Sequence, residues 1–272
     1  MERGGAMDVH EGVLHGGLPY LRLGAGPVLV VLPGLESENA NPVGGARALE
    51  VRRLRPFARR FTLHVVRRPP GLPAGATMVD LADLHAAALA AEFGEPVDVH
   101  ATSTGGSVAL QLAVDHPQAV RRLVLVSAAC RLSEAGRAAQ RRLAAGVLRG
   151  DLRRTYADLG RLMGGSWLAT RAVGAAMWLA GPAMAPADPA DLLRTIAAED
   201  AFDVCPRLGE VRAPTLVVAG ARDGYYGPEL FRRTAAGIPL SQLRLYPRMG
   251  HMGPVMSRRA RADVFRFLGG AG

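Results

Sequence analysis

The 272 residues suffice for one generous core with an inserted subdomain, and a composition 49% hydrophobic and 5% aromatic is that of a globular chain. The net charge of +9 rests on 33 basic residues, all arginine, in dispersed pairs such as Arg52-Arg53, Arg121-Arg122 and Arg153-Arg154; such pairs read as solvated helix faces, so no nucleic-acid partner is expected. No apolar run reaches the roughly 18 residues of a membrane span, and MERGGAMDVHEG lacks a signal-peptide core, so the expectation is a cytoplasmic protein with no membrane partner.

Taken in chain order, Val28–Leu32 (VLVVL) reads as a strand ending at Pro33-Gly34. A second strand covers residues 61–66. Met78–Phe93 reads as a helix closed by Gly94, residues 97–101 as a strand, and residues 105–115 as a helix stopped at His116-Pro117. Residues 123–126 form a further strand. The later run is a strand at 215–219, a helix at 228–236, a strand at 243–246 and a helix at 258–268. Nearly continuous apolar runs suit strands buried on both faces, so the alternation predicts an α/β fold with a doubly wound, mainly parallel sheet.

One stretch breaks the alternation. Residues 131–205 are rich in Ala, Arg, Leu and Met, with interruptions at Gly164-Gly165 and Gly181-Pro182 and no β-rich run. They read as a helical cap over a core formed by residues 1–130 and 206–272. Cys130 and Cys205 are too few for a disulfide framework, lack the clustering of metal ligands, and read as two ordinary semi-buried thiols. Gly24-Ala25-Gly26 precedes a strand and lacks the third glycine of a dinucleotide loop.

The chemistry concentrates at Ala101-Thr102-Ser103-Thr104-Gly105-Gly106, where a strand runs into a helix. A sharp strand-to-helix turn tolerates only small residues at 101 and 105 and thrusts the serine Oγ above the sheet, at a helix N-terminus that favours negative charge. A hydroxyl there needs a base. Of seven histidines, His10 and His15 lie in the terminal segment, His64 and His100 in strands, His85 in a helix and His116 before a proline. His251 alone stands in a loop at the carboxyl end of the last strand, where catalytic groups of open α/β sheets collect. Asp223 follows the strand at 215–219 in the same way and would hold the imidazole's tautomer. Each residue has an ordinary explanation (helix cap, turn aspartate, loop histidine). All three in the order Ser, Asp, His, each at a strand end, do not.

With these residues the sequence resembles the alpha/beta-hydrolase family, as a serine hydrolase with a helical cap, carboxylesterase- or lactonase-like. The resemblance rests on Ser103-Thr104-Gly105-Gly106, the strand into Asp223 and Met249-Gly250-His251; Pro33-Gly34-Leu35 stands where the family usually carries His-Gly. Ala101 replaces a more frequent glycine. The resemblance implies an oxyanion hole built from the backbone N–H groups of Leu35 and Thr104, no metal and no organic cofactor, and a small-molecule substrate. Serine at position 103 disfavours the nucleophilic aspartate of the family's dehalogenases. The expected reaction is hydrolysis of a carboxylic ester or lactone of a small to medium apolar substrate. C–C hydrolysis, acyl transfer, peracid formation and non-catalytic ligand sensing stay open. Trp167, Trp178 and Met252 are candidate substrate contacts; Met163, Met177 and Met184 are candidates for the same pocket or for packing between helices. Glu36, Ser37, Asn39 and Asn41, after the expected oxyanion loop, read as surface turn residues, with substrate contact as the alternative; Tyr225 and Tyr226 read as cover for a sheet edge, and His100 as a satisfied strand residue.

Overall fold

The apolar runs of the sequence meet in one eight-stranded sheet, seen in a computed structural model that describes residues 8–164 and 166–269. Strands β1 (Val9–Leu14) and β2 (Leu18–Leu23) form a hairpin at one edge, followed by β3 (Val28–Leu32), α1 (Gly44–Ala58) and β4 (Thr62–Val66). Next come α2 (Met78–Phe93), β5 (Val97–Thr102), α3 (Thr104–Asp115) and β6 (Val120–Val126). Among the described residues, four α-helices stand between β6 and the next strand: α4 (Glu134–Arg149), α5 (Leu152–Met163), α6 (Trp167–Ala180) and α7 (Ala190–Ala201). The chain closes with β7 (Thr215–Gly220), α8 (Pro228–Gly237), β8 (Ser241–Tyr246), α9 (Gly253–Met256) and α10 (Arg258–Gly269).

The strand order is β1-β2-β4-β3-β5-β6-β7-β8; β1–β2 and β2–β4 pair antiparallel and all other neighbours parallel. This is the doubly wound, mainly parallel α/β sheet expected from the sequence. The central strands explain why: side chains alternate between two faces, and both faces are covered. Val30, Val99, Leu123, Leu125 and Val217 join residues of α2, α3 and α8 in one buried cluster on one side; Leu29, Val31, Val124, Leu216 and Val218 pack toward α1 and α10 on the other. Among the described residues, no helix is long and apolar enough to cross a membrane.

The arginine pairs are partly structural. Arg121 and Arg122 both clasp fully buried Asp98, and Arg67, itself buried, donates to Glu36, Glu50 and Asn41.

Cys130 and Cys205 correct the sequence expectation: they are not free thiols but a disulfide. The pairing follows from topology. Cys130 lies just past β6 and Cys205 just past α7, and the chain returns to its departure point, with Arg131 bridging Asp203 in antiparallel fashion and Val204 N–H donating to the Cys130 carbonyl at 3.0 Å. The four helices therefore leave and rejoin the sheet through one cross-linked neck.

Candidate active site

The turn between β5 and α3 places Ser103 at φ 50°, ψ −125°, a left-handed conformation that a serine adopts only where its surroundings enforce it. The enforcement is visible. Ser103 N–H donates to the Val126 carbonyl at 3.0 Å, and a Cβ on Gly105 would lie 2.4 Å from the carbonyl oxygens of Leu32 and Pro33. Only glycine lets the first turn of α3 approach the end of β3 this closely. Ala101, at the end of β5, is fully buried.

Around this serine the three predicted residues meet. Ser103 Oγ lies 3.1 Å from His251 Nε2, and His251 Nδ1 lies 2.8 Å from Asp223 Oδ2. Asp223 Oδ1 accepts the backbone N–H groups of Tyr225 (2.8 Å) and Tyr226 (3.3 Å), which leaves Oδ2 aimed at the imidazole. His251 and Asp223 are both buried. The arrangement suits proton transfer from Ser103 to Nε2 while the carboxylate keeps the second ring proton on Nδ1.

Tyr225 and Tyr226 do more than cover a sheet edge. Their rings pack on the His251 ring with centroids 4.8 and 6.0 Å away, and burial pushes both phenols above their ordinary pKa, so they remain neutral walls of the site. The signal was their position after Asp223, where the turn must bring them back over the histidine.

Leu35, Thr104, Ser103 and His251 line one cavity of about 390 Å³, together with Met252 and, from the helices between β6 and β7, Leu143, Tyr156, Leu159, Met163, Met177 and Met184. Met252, a candidate substrate contact in the sequence, lines this cavity. Trp167 and Trp178 do not line it: they are 69% and 47% exposed, and their rings pack under Arg171 and Arg153. Helix α6 turns Met177 to the cavity and leaves Trp167, Leu168, Trp178 and Leu179 exposed. Tyr156, unremarked in the sequence, is buried at the cavity wall and donates to the Met184 carbonyl at 3.0 Å.

The loop after β3 divides between the two readings the sequence left open and a third role. Glu36 and Ser37 line the cavity, and Asn39 and Asn41 are anchors instead of surface turn residues. Asn39 Nδ2 donates to Pro69 (3.0 Å) and Asn41 Nδ2 to Tyr20 (2.9 Å). Burial raises the Glu36 carboxyl above its usual range, against the pull of Arg67 and Arg68. Arg68, itself buried, donates to the carbonyls of Gly34 (2.9 Å) and Pro33 (3.4 Å), pinning the loop from below.

His100 is not a satisfied strand residue: its Nδ1 is buried without a hydrogen-bond partner, and burial with nearby Arg53 pushes its pKa down to about 4. Among the described residues, no group of three or more His, Cys, Asp or Glu side chains is placed to hold a metal ion.

Residues 14–266 match the sequence pattern of the Alpha/beta hydrolase family. The chain is 31% identical over 197 residues, covering 68% of this chain and 70% of the relative, to a Variovorax paradoxus (strain S110) protein named "Putative carbamate hydrolase RutD". It is also 38% identical over 68 residues to a 2-hydroxy-6-oxo-6-phenylhexa-2,4-dienoate hydrolase of Burkholderia cepacia, a match spanning 25% of this chain and 22% of that protein. Among solved structures, a hydrolase from Pseudomonas aeruginosa PA01 superposes with TM-score 0.76 at 23% identity, covering 99% of this chain and all of the other. A thermophilic esterase from Thermogutta terrifontis superposes with TM-score 0.73 at 20% identity, covering 96% and 97%. With the family's sequence pattern running nearly end to end and a close fold match to its members, the chain belongs to the alpha/beta hydrolase family.

Proposed function

We propose that this hydrolase is a serine esterase that cleaves a carboxylic ester or lactone of small to medium size through an acyl-enzyme on Ser103. The observation that carries the reading is the unbroken hydrogen-bonded chain from Ser103 Oγ through His251 to Asp223, opening on the 390 Å³ cavity. In the proposed cycle Ser103 Oγ attacks the carbonyl carbon as its proton passes to His251 Nε2. The tetrahedral oxyanion is received by the N–H groups of Leu35 and Thr104, the imidazolium returns the proton to the leaving alkoxide, and the alcohol departs. Water, deprotonated by His251, then attacks the acyl-enzyme and regenerates Ser103 as the acid leaves. The helices α4–α7, within the cap segment 131–205 that stands over the core of residues 1–130 and 206–272, supply the apolar wall of the cavity and favour an apolar acyl or alkyl group.

The carbamate hydrolase and dienoate hydrolase names of the relatives keep a second reading in view, since either kind of substrate offers Ser103 a carbonyl carbon to attack. The test is labelling with a fluorophosphonate probe, read as intact mass on the wild type and on Ser103→Ala, followed by matched ester, lactone, carbamate and dienoate panels. One adduct on the wild type, none on the variant, and ester or lactone turnover above the other classes is the expected result. An unlabelled, inert wild type would remove the reading, and preference for a carbamate or dienoate would replace it with the second.

A further inference from the structure

The carboxylate of Glu199 belongs to α7, a helix of the proposed cap, yet it is fully buried and reaches the first turn of α3. Glu199 Oε2 accepts from Thr104 Oγ1 at 2.8 Å and from Gln140 Nε2 at 2.6 Å. Glu199 Oε1 accepts from Ser107 Oγ at 2.8 Å and from the Tyr226 hydroxyl at 3.4 Å. Its partners are hydroxyls and an amide, not a guanidinium. A buried carboxylate with each oxygen bonded twice is a rigid connector, because moving any partner leaves a buried polar atom unsatisfied.

What it connects is specific. Thr104 follows Ser103, and the same Tyr226 donates its backbone N–H to Asp223 and packs on His251. The other end of α7 holds the opposite flank: Asp191 accepts the N–H groups of Gly71 and Leu72, both at 2.8 Å, on the loop that follows Arg68. Arg68 in turn holds the carbonyls just ahead of Leu35. One helix therefore braces the backbone on both sides of the space above Ser103.

We propose that Glu199 is a positioning residue for the oxyanion hole, holding the Thr104 N–H at the place where charge develops on the substrate carbonyl. It touches no reacting atom. The inference rests on the acyl-transfer reading above and adds the group that sets the geometry of that site. A donor worth two to three orders of magnitude when aimed correctly loses much of that effect when it drifts by a fraction of an ångström.

The experiment uses the full chain with Glu199→Gln and, separately, Thr104→Val, which keeps the backbone N–H and removes only the hydroxyl that binds Glu199. Turnover of an ester accepted by the wild type is compared with inhibition by a trifluoromethyl ketone of matched chain length, which adds reversibly to a serine hydroxyl and places an oxyanion in the hole. The expected result is a fall in kcat of at least tenfold with KM within twofold, and a loss of ketone affinity matching the loss in kcat/KM. A role confined to packing would not single out the tetrahedral ligand. Wild-type kcat in both variants, or a lowered kcat with unchanged ketone affinity, overturns the proposal. Thr104→Val carries the test should Glu199→Gln fail to fold. A wild type that neither labels nor turns over any ester removes the acyl-transfer reading and this inference together; an active wild type with unmoved variants removes this inference alone.

Discussion

Ser127 Oγ donates to the main-chain carbonyl of His251 at 2.7 Å, from a residue that is itself fully buried and held at φ 51°. Ser103 and Ser127 are the two non-glycine residues with positive φ among those described, and each ends one of two neighbouring strands, β5 and β6. One positions the hydroxyl; the other holds the loop that carries the base. Ser127→Ala leaves the His251 carbonyl without its donor, at a cost of about 1–2 kcal/mol. The expected outcome is a severalfold lower kcat and slower fluorophosphonate labelling of Ser103. Unchanged labelling kinetics would show that the loop needs no such tether.

The roles of the acid and the base separate by substitution. His251→Ala should lower kcat by several orders of magnitude with the fold intact, since no other imidazole reaches Ser103. Asp223→Asn should cost about four orders of magnitude through the wrong ring tautomer. Near-wild-type turnover by either variant would reassign that role.

The cavity wall predicts selectivity. Leu159→Trp places a large ring in a space of about 390 Å³ and should raise KM for bulky acyl esters at least tenfold while sparing acetates. Trp167→Ala and Trp178→Ala, on the exposed side of α6, should leave kcat/KM within twofold. Steady-state kinetics on an acyl-length series reads both, and a strong effect of either tryptophan would put it back at the substrate.

Acid should destabilise the fold through its buried imidazoles. Burial pushes His85 down to about 4; its Nδ1 contact with the Leu81 carbonyl at 2.7 Å opposes this, and Arg68 adds to it. Because the folded pKa lies below that of the unfolded chain, the unfolded state takes up a proton first as pH drops through 6.5. Stability therefore declines between about pH 6.5 and 4, by about 3 kcal/mol from this group, and is independent of it below that window. His100, also pushed down to about 4, acts in the same direction. Urea midpoints from pH 7 to 4 should fall in the wild type and fall less in His85→Leu; parallel curves would discount His85.

The Cys130–Cys205 bridge closes a loop with a sequence separation of 75, for which chain-entropy bookkeeping gives about 4 kcal/mol of stabilisation. Reductant, or paired Cys→Ala substitution, should lower Tm, and hydrogen exchange should rise first across α4–α7. Equal melting with and without reductant would mean that the bridge adds nothing to the folded state.

The parts legible in the sequence were those whose chemistry is local. VLVVL and TLVVA announce buried strands by composition, and Ser103, Asp223 and His251 each stand beside a strand end. The hairpin of β1 and β2 escaped because β1, at the sheet edge, is mostly exposed and carries Gly12, and β2 carries Pro19. Helix α1 escaped because it opens on two glycines, contains Pro56 and is nearly as polar on its inner face as on its outer one. The disulfide joins residues that only the returning chain makes neighbours. Glu199, beside Asp200 in a run of alanines, looks like any acidic residue on a solvated helix; its burial is decided by Thr104, Ser107, Gln140 and Tyr226, all distant in sequence. Trp167 and Trp178 show the converse, large apolar residues that composition places inside and the helix phase places outside.

The cross-linked neck also separates two evolutionary problems. With Cys130 and Cys205 holding their Cα atoms 5.0 Å apart, whatever is strung between them begins and ends at one fixed point beside β6 and β7, which pair directly with each other. Helices α4–α6 could be lengthened or exchanged there without asking any strand to move, provided that α7 keeps Glu199 and Asp191 in place. The scaffold that aligns Ser103, Asp223 and His251 can then stay constant while the walls of the cavity are rewritten, and a graft of foreign helices in place of α4–α6 would have its two attachment points already set.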